Sequence, residues 1–309
     1  MRLVCISDTH MNHRGLHLPE GDVLIHAGDA TSSGSLSEVD RFLGWYASQS
    51  HQYKILVAGN HDWLFQTDPK AASLLLEKHK GITYLQDSGV EIDGVRFWGA
   101  PWQPWFLDWA FNLPRKGAAL REAWNKIPNN TEVLITHGPP HGVQDQVGRG
   151  EHLGCEEQTI RLATLNLKLH IFGHIHDGYG VIRTKPTIFV NASICTEEYR
   201  ALNKPILVDL QQQSIHVHGI ERNVRRDRLE AVQGRLDDPA QGGLAQLEVL
   251  IPTGQRLALE ELADLRNSRP ELLVQEYLDR GLRADLARQL RAANKSSNRS
   301  IPYVDLDQE

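Results

Sequence analysis

Short apolar runs rich in valine, isoleucine and leucine recur through the first two-thirds of the chain. They lie at residues 3–6, 23–26, 55–57, 133–135 and 170–172, with polar turns between them. Most are apolar at nearly every position, which is typical of strands buried on both faces. Such strands occur in layered α/β proteins, so we expect an α/β fold in which helices cover the sheets.

The segments between these runs contain helical periodicity. Residues 37–47 repeat apolar side chains at helical spacing, and Ser35 or Ser37 is available as the N-cap. Residues 71–79 are similar. From 188 to 218 the apolar segments IFVNAS, PILVDL and SIHVHGI are separated by turns, which predicts hairpin-like strands.

The pattern changes after about residue 220. We predict a first domain over residues 1–220 that carries the chemistry. Residues 221–243 are charged and then rich in proline and glycine, which predicts an exposed helix and a linker. Residues 244–309 predict a small, mainly α region that ends in a mobile tail. One face of this region carries a stripe of leucines four residues apart, which suits a protein partner, a second copy or packing on the first domain: Leu278, Leu282, Leu286 and Leu290.

Charge and cysteine content limit the class of protein. The net charge of −6 argues against a protein that coats nucleic acid, although a nucleic acid could still be a substrate. The three cysteines are far apart and form no CxxC, which fits a reducing compartment. We find no signal-peptide pattern and no apolar run of the about 20 residues that a membrane helix needs. We therefore expect a cytoplasmic protein without a membrane partner.

Each of the five apolar runs ends at side chains that bind metals. In layered α/β folds, sites gather beyond the carboxyl ends of the strands, so we expect these side chains to share one volume. Mixed carboxylate, amide and imidazole donors suit Mn, Fe, Zn or Co. The sequence therefore predicts a metal centre that takes its ligands from these residues: Asp8, His10, Asp29, Asn60, His61, Asp62, His137, His174 and His176.

The spacing within two of these segments supports the prediction. Asp8 and His10 are two residues apart, as are His174 and His176. Residues i and i+2 of an extended segment point to the same side, so both members of each pair can reach one ion.

The motifs D-x-H, G-D, G-N-H-D, T-H-G and G-H-x-H follow one another along the chain. This order resembles the calcineurin-like metallophosphoesterase superfamily over roughly residues 1–210. The longer segments GAPWQPWFLDWAFNLPR, THGPP, FGHIHDGYG, VNAS and PILVDL are similar to the MPPED-type metallophosphodiesterase group. The resemblance implies a layered sandwich of two mixed β-sheets flanked by helices. It also implies a hydrolase of phosphoric ester bonds.

The resemblance further implies two divalent ions that share Asp29. Manganese is favoured, with Fe, Zn, Co or Mg as alternatives. The first ion is implied to bind Asp8, His10, Asp29 and His176, and the second Asp29, Asn60, His137 and His174. Two such ions lower the pKa of a bridging water toward about 7, and the hydroxide then attacks phosphorus in line.

Two neighbours of Asn60 have implied roles in proton transfer. Similar enzymes use the histidine of G-N-H-D, here His61, to protonate the leaving alkoxide. Asp62 would then orient His61, or it would act only as a structural carboxylate in a turn.

The tryptophan-rich segment at residues 98–109 is the predicted specificity element. Its large aromatic residues could form a wall on which a nucleobase stacks, or they could fill a secondary core: Trp102, Trp105, Phe106 and Trp109. His141 after Gly-Pro-Pro could reach substrate, or it could lie on the surface.

We therefore expect a phosphodiesterase that acts on nucleotide-like substrates, with cyclic nucleotides among the candidates. A nuclease acting on RNA or DNA is the first alternative, although no obvious basic track supports it. A phosphoesterase effector, regulated through a protein-interaction module in the C-terminal helices, is the second.

Overall fold

The structure is a computed structural model, and it describes residues 1–115, 117–148, 150–211 and 215–219. The chain divides into two compact units. The first comprises Met1–Pro104 and Trp109–Asp238, and the second Trp105–Asp108 and Pro239–Glu309. Every helix and strand given below belongs to the first unit. The predicted linker and helical region at 221–309 lie outside the described residues and stay predictions.

The first sheet has six strands in the order β14-β13-β1-β2-β3-β4. Strands β1 to β4 run parallel, whereas β13 is antiparallel to both β1 and β14, so the sheet is mixed. The bounds are β1 (Arg2–Ile6), β2 (Val23–Ala27), β3 (Tyr53–Val57), β4 (Thr83–Tyr84), β13 (Ile206–Leu210) and β14 (Ile215–His218).

The second sheet also has six strands, in the order β11-β12-β10-β9-β6-β5. The four central strands are parallel, and each edge strand is antiparallel to its neighbour. The bounds are β5 (Ser88–Ile92), β6 (Val95–Ala100), β9 (Val133–Thr136), β10 (Leu169–Phe172), β11 (Gly180–Arg183) and β12 (Ile188–Asn191). A further two-stranded ladder joins β7 (Gln103–Pro104) to β8 (Asn112–Leu113).

The two sheets pack face to face, because alternate residues of each central strand point into a shared apolar core. Leu3 and Cys5 of β1 lie in that core with Val133 and Ile135 of β9. The intervening Val4 and Ile6 point to the opposite face and pack against helices. Both faces of these strands are therefore buried, which explains their unbroken apolar sequence and confirms the predicted sandwich.

Five α-helices in the described residues flank the sheets. Helix α1 buries its apolar face on the first sheet, with Ser35 as the N-cap that accepts a hydrogen bond from the backbone N–H of Glu38. Helix α4 buries Leu120 and Trp124 beside the second sheet. The bounds are α1 (Leu36–Ala47), α2 (Leu64–Thr67), α3 (Pro69–Lys78), α4 (Ala118–Asn125) and α5 (Glu156–Leu162), with 3-10 turns at Asn12–Gly15 and His176–Gly178.

One predicted arrangement of strands is wrong. IFVNAS and PILVDL do not form a hairpin: β12 pairs with β10 and β11, whereas β13 pairs with β1 in the other sheet. Only β13 and β14 form the predicted hairpin. The turn-rich sequence indicated strands correctly, but strand partners depend on contacts that are distant in sequence.

The sequence Gly154-Cys155 closes a loop against the segment after β9. The backbone N–H of Cys155 donates to the Pro139 carbonyl, and the N–H of His141 donates to the Cys155 carbonyl. A Cβ on Gly154 would lie 2.6 Å from the Pro140 carbonyl carbon, so only glycine allows this approach. The loop that carries His141 is therefore fixed at both ends.

No helix among the described residues is both long enough and apolar enough to cross a membrane.

Two fully buried histidines lie inside the strands. His26 Nε2 lies 3.0 Å from Thr9 Oγ1, and its Nδ1 accepts from the Gly28 backbone N–H. His170 Nε2 lies 2.8 Å from Thr136 Oγ1, whose own hydroxyl donates to the Gly138 carbonyl, so His170 donates through Nε2. Burial lowers the pKa of each imidazole to about 3. Both rings are therefore neutral structural groups.

We predict that His170 contributes to unfolding at acid pH. Its pKa in the folded protein lies below the ordinary 6.5, so the unfolded chain takes up the proton first. The stability contribution is fully present above about pH 6.5 and falls by about 1.4 kcal/mol per pH unit as the pH drops toward 3.

Urea titrations of wild type and His170→Leu from pH 7 to 4 test this. The leucine variant should be less stable at pH 7, because Thr136 loses a partner, but should lose less stability on acidification. Exposed His17→Gln is the control, and equal acid sensitivity in wild type and His170→Leu would contradict the prediction.

Candidate metal centre

The seven predicted ligands lie in the loops that follow β1, β2, β3, β9 and β10. An isolated bridge between Ser7 and Ser193 joins the first sheet to the segment that follows β12 of the second, which brings the carboxyl ends of both sheets together. The predicted residues therefore converge, although they are up to 168 positions apart. Three groups of candidate ligand atoms result. The first cluster is Asp8, His10 and His176, and the second cluster is Asp29, His137 and His174. The third group, His10, Asp29 and His61, shares one residue with each of the other two.

In the first cluster, nitrogen and oxygen atoms face one another at short range. His10 Nε2 lies 3.4 Å from His176 Nε2, and His176 Nε2 lies 3.4 Å from Asp8 Oδ1. Donor atoms on one ion with bonds of about 2.1 Å lie about 3.0–3.5 Å apart. The third pair, His10 Nε2 and Asp8 Oδ1, is 4.0 Å apart, so the first cluster is close to the spacing of a divalent cation site.

In the second cluster, His137 Nε2 lies 3.3 Å from Asp29 Oδ2 and 2.9 Å from Asn60 Oδ1. The imidazoles of His137 and His174 are 5.0 Å apart between centroids. His10 Nε2 of the first cluster lies 3.7 Å from Asp29 Oδ2, so Asp29 contacts both clusters.

Backbone carbonyls orient two of these imidazoles. His137 Nδ1 donates to the Ala27 carbonyl at 3.0 Å, and His176 Nδ1 donates to the Thr196 carbonyl at 2.8 Å. A carbonyl only accepts, so each Nδ1 carries a proton and each Nε2 faces the cluster. Second-sphere bonds of this kind fix the tautomer of histidines that bind metals.

The carboxylates are also held in place. Asp8 accepts from the backbone N–H of His174 and from the Ser193 hydroxyl, and Asp29 Oδ1 accepts from the backbone N–H of His61. A Cβ on Gly173 would collide with the Asp8 carboxylate, so glycine is required for this approach.

Strained backbone marks the same residues. Asp8, His10, Asp29 and His174 all have φ between 40° and 66°, the left-handed region that non-glycine residues rarely adopt. Such conformations cost about 1–3 kcal/mol each and concentrate at functional sites. The chain therefore turns sharply after β1, β2 and β10, and these turns place the four side chains at the site.

The charges of the two clusters are strongly coupled. Burial opposes ionisation of Asp8, but hydrogen bonding with His176 prevails and holds the pKa of that carboxyl well below its ordinary value. Burial would lower the pKa of His137 and His176, but the neighbouring Asp29 and Asp8 raise each to about 9. Burial lowers the pKa of His174 to about 3. The buried carboxylates are therefore anionic and require positive charge beside them.

His61 lies between the two clusters. Its Nε2 is 3.9 Å from Asp29 Oδ2, and its ring is 4.7 Å from that of His10. His61 Nδ1 donates to the Ser32 carbonyl at 2.7 Å, which leaves Nε2 toward the site. The sequence prediction that His61 lies in the site is consistent with this position.

The hydrogen bond that orients His61 does not come from Asp62. Asp62 accepts from the backbone N–H groups of Ala30, Thr31 and Gly59 and from the Thr31 hydroxyl. It therefore ties the loop after β2 to the loop after β3. Of the two sequence interpretations of Asp62, the structure favours the structural carboxylate.

Of the three predicted substrate contacts, Trp102 has structural neighbours and the other two are not tested. Trp102 packs on Phe111 and donates its Nε1–H to Asp87 Oδ1 at 2.8 Å, as a structural residue does. Trp105 belongs to the second unit, and its predicted role is not tested. The His141 ring lies 5.7 Å from that of His152, and its predicted role also stays open.

Two aromatic residues lie at the site: Trp109 of the predicted aromatic wall, and Tyr199, which the sequence did not single out. The Trp109 ring lies over His61, with centroids 4.0 Å apart and planes 31° apart. Tyr199 contacts the rings of His10, His61 and His176 at 4.7, 6.3 and 5.5 Å. Trp109 was part of the tryptophan-rich segment, but Tyr199 follows the last ligand by 23 residues without any metal-binding motif.

The residues present fit a divalent metal. His137 Nε2 and Asn60 Oδ1 are both acceptors when His137 is neutral, because His137 Nδ1 carries the proton that it donates to the Ala27 carbonyl. Either an extra proton or a cation must lie between these two atoms. A cation satisfies this pair and also neutralises the two buried carboxylates.

Comparison with known proteins agrees with this chemistry. The family of calcineurin-like phosphoesterases matches residues 1–178. The human metallophosphoesterase domain-containing protein 1 is 44% identical over 232 residues, covering 68% of this chain and 71% of that protein. A Caenorhabditis elegans UPF0046 protein is 37% identical, covering 70% of this chain and 77% of that protein.

A solved structure is similar in fold alone. The protein TT1561 of Thermus thermophilus has a TM-score of 0.50 at 12% identity, covering 71% of this chain and 98% of that one.

The fold and the site define a metal-dependent phosphoester hydrolase. The chain belongs to the calcineurin-like phosphoesterase family, and its curated relatives include metallophosphoesterase domain-containing protein 1.

We predict that metal binding releases protons and strengthens with pH. The raised pKa values of His137 and His176 mean that protonation stabilises the metal-free protein fully below pH 6.5, and that this contribution is lost as the pH rises through about 9. A metal must displace these protons, so affinity should rise over the same range. Titration of Mn²⁺ into weakly buffered protein at pH 7 should release about two protons.

The control for this titration is His170→Leu, whose metal-binding groups are intact. Mn²⁺ binding without proton release, or with affinity that does not change from pH 6.5 to 9, would contradict the prediction.

Proposed function

We propose that the protein is a dinuclear-metal phosphodiesterase that hydrolyses nucleotide-like phosphodiesters, cyclic nucleotides among them. The observation that supports this most is the pair of clusters that meet at Asp29, with His61 between them. One isolated cluster would fit a structural cation equally well. Two clusters with one common carboxylate suit a pair of ions about 3.5–4 Å apart, which is the arrangement of two-metal phosphoryl hydrolysis.

The proposed ligand assignment follows the geometry. Asp8, His10 and His176 would hold one ion, and Asn60, His137 and His174 the other, with Asp29 between them. Manganese is our proposal for both, with Fe, Zn, Co or Mg as alternatives. Bound divalent ions supply a nucleophile from water at neutral pH and neutralise charge on the phosphoryl oxygens.

The protein's own groups position the two carboxylates and supply a proton donor. Strained, hydrogen-bonded loops hold Asp8 and Asp29 in fixed positions, so little reorganisation is needed when charge develops. The Ser32 carbonyl fixes the His61 tautomer, so its Nε2 is the atom that can carry a second proton into the site. A protonated Nε2 beside Asp29 can pass that proton to the leaving oxygen of an in-line displacement.

Charge favours an anionic substrate. Two divalent ions, two aspartates and one hydroxide sum to about +1, and the other proposed ligands are neutral. The choice of diester over monoester rests on similarity to the MPPED-type group.

The nuclease alternative needs a basic track beside the site, and two cations that could contribute to it make local contacts instead. The Lys168 ammonium pairs with Glu132, and Arg161 contacts the Ile127 carbonyl and Asn129. Lys168 and Arg161 therefore interact with neighbouring residues and do not form a row of positive charges that a nucleic-acid strand could follow. Regulation through C-terminal helices concerns residues outside the described part, and it stays a proposal. A reducing, cytoplasmic location is also proposed, supported by three free, buried cysteines.

We predict that the Mn²⁺-loaded protein hydrolyses bis(4-nitrophenyl) phosphate faster than 4-nitrophenyl phosphate. His61→Ala should lower kcat by about 10²–10³-fold with Mn²⁺ content unchanged, because a general acid contributes about 10²–10⁴-fold. Asn60→Ala should lower Mn²⁺ affinity instead.

The matched control for His61→Ala is His17→Ala, an exposed histidine outside the site. Monoester turnover without diester turnover would reject the diesterase assignment. Full activity in both His61→Ala and Asn60→Ala would reject the proposed site.

We predict that Trp109 positions His61. Trp109→Ala removes the ring that covers the His61 imidazole and should lower kcat by about 10–100-fold, since small misplacements of a catalytic group cost up to about 10²-fold. Trp109→Phe should retain most activity. If Trp109 acts through His61, Trp109→Ala should cause little further loss of kcat in a His61→Ala background. A double-mutant cycle measures this. Additive losses would show that Trp109 acts elsewhere.

A further inference from the structure

Tyr199 is a half-exposed aromatic residue at the site with no role yet assigned. Its relative exposure is 51%, although its ring contacts three site histidines. The ring planes of Tyr199 and His10 are 73° apart, and those of Tyr199 and His176 are 80° apart. Edge-to-face packing of this kind fixes a ring while leaving part of its surface in water.

The backbone of Tyr199 is held in an unfavourable conformation. Its φ is 57°, in the left-handed region that bulky side chains rarely adopt. Its N–H donates to the Thr196 carbonyl at 2.9 Å, and its carbonyl accepts from Asn12 Nδ2 at 3.3 Å. Asn12 also donates to the His10 carbonyl, so it ties the tyrosine loop to the loop that carries the first cluster. Strain that is maintained in this way suggests that the position of the ring is used.

Tyr199 and Trp109 both contact His61. The Trp109 ring lies 4.0 Å from His61 and the Tyr199 ring 6.3 Å, with the His61 imidazole in contact with both. A leaving group protonated by His61 must lie next to Nε2 of that residue. The organic part of the ester therefore leaves from a region that the rings of Trp109 and Tyr199 border.

On the basis of the proposed function, we propose that Tyr199 determines specificity by packing its exposed ring surface against a planar ring in the organic part of the substrate. The protein would then prefer aryl and nucleoside phosphate esters over alkyl ones. Stacking of a base on an aromatic side chain contributes enough for a tenfold or larger preference. A change at Tyr199 should not alter the affinity for the phosphate group itself, because the metal centre binds that group.

Calorimetric titration of Mn²⁺-loaded protein with phenyl phosphate, methyl phosphate and inorganic phosphate tests the proposal without relying on turnover. Wild type should bind phenyl phosphate about tenfold more tightly than methyl phosphate. Tyr199→Phe should keep this ratio. Tyr199→Asn should bring it close to one, with affinity for inorganic phosphate and Mn²⁺ stoichiometry unchanged.

Asparagine tolerates the left-handed backbone, so Tyr199→Asn should fold, and its Tm provides the check. Leu202→Ala, which changes an exposed apolar residue in the same segment, is the matched control. An equal loss of affinity for all three ligands in Tyr199→Asn, or an unchanged ratio, would overturn the proposal.

Absence of discrimination in wild type would overturn the Tyr199 proposal alone, because phosphate would still bind. Failure of all three ligands to bind would contradict the phosphoesterase proposal, and the Tyr199 proposal with it.

Discussion

Two buried carboxylates, Asp8 and Asp29, set the main electrostatic constraint on this structure. Both carboxylates stay ionised, because hydrogen bonds and neighbouring histidines hold each pKa below its ordinary value. Charge of this kind inside a protein must be compensated. In the metal-free protein His137 and His176 supply the compensation as cations. Divalent ions can take over that role, so the fold prepares a site that already favours positive charge.

The sandwich makes this concentration of charge possible. Two sheets share one apolar core, and the carboxyl ends of their parallel strands open at the same edge. Left-handed residues at the strand ends turn the chain abruptly there. Burial of the large apolar core offsets the free-energy cost of the local strain and the buried charge. Natural proteins commonly tolerate such costs at functional sites.

Several features of the site were predictable because they depend on local sequence. An apolar strand followed by Gly-Asp or Gly-Asn-His-Asp indicates both a strand end and its candidate ligands, and Asp29 and Asn60 lie in the loops after β2 and β3. Asp62 shows the limit of such reasoning. A carboxylate beside a histidine suggests an orienting pair, but the loops bring three backbone N–H groups and the Thr31 hydroxyl to Asp62 instead. Trp102 is similar, since only the packed structure shows its contact with Phe111 and Asp87.

The sequence by itself determined the α/β class, the five strands that end at candidate ligands and the chemistry of those ligands. These features depend only on the residues within short segments of the chain. The tertiary structure decided which strands pair, which atoms of the histidines face the site and which aromatic residues surround it. Those properties depend on contacts between distant segments. Tyr199 is the clearest case: it reaches His10 across 189 positions, because the segment after β12 returns to the first sheet.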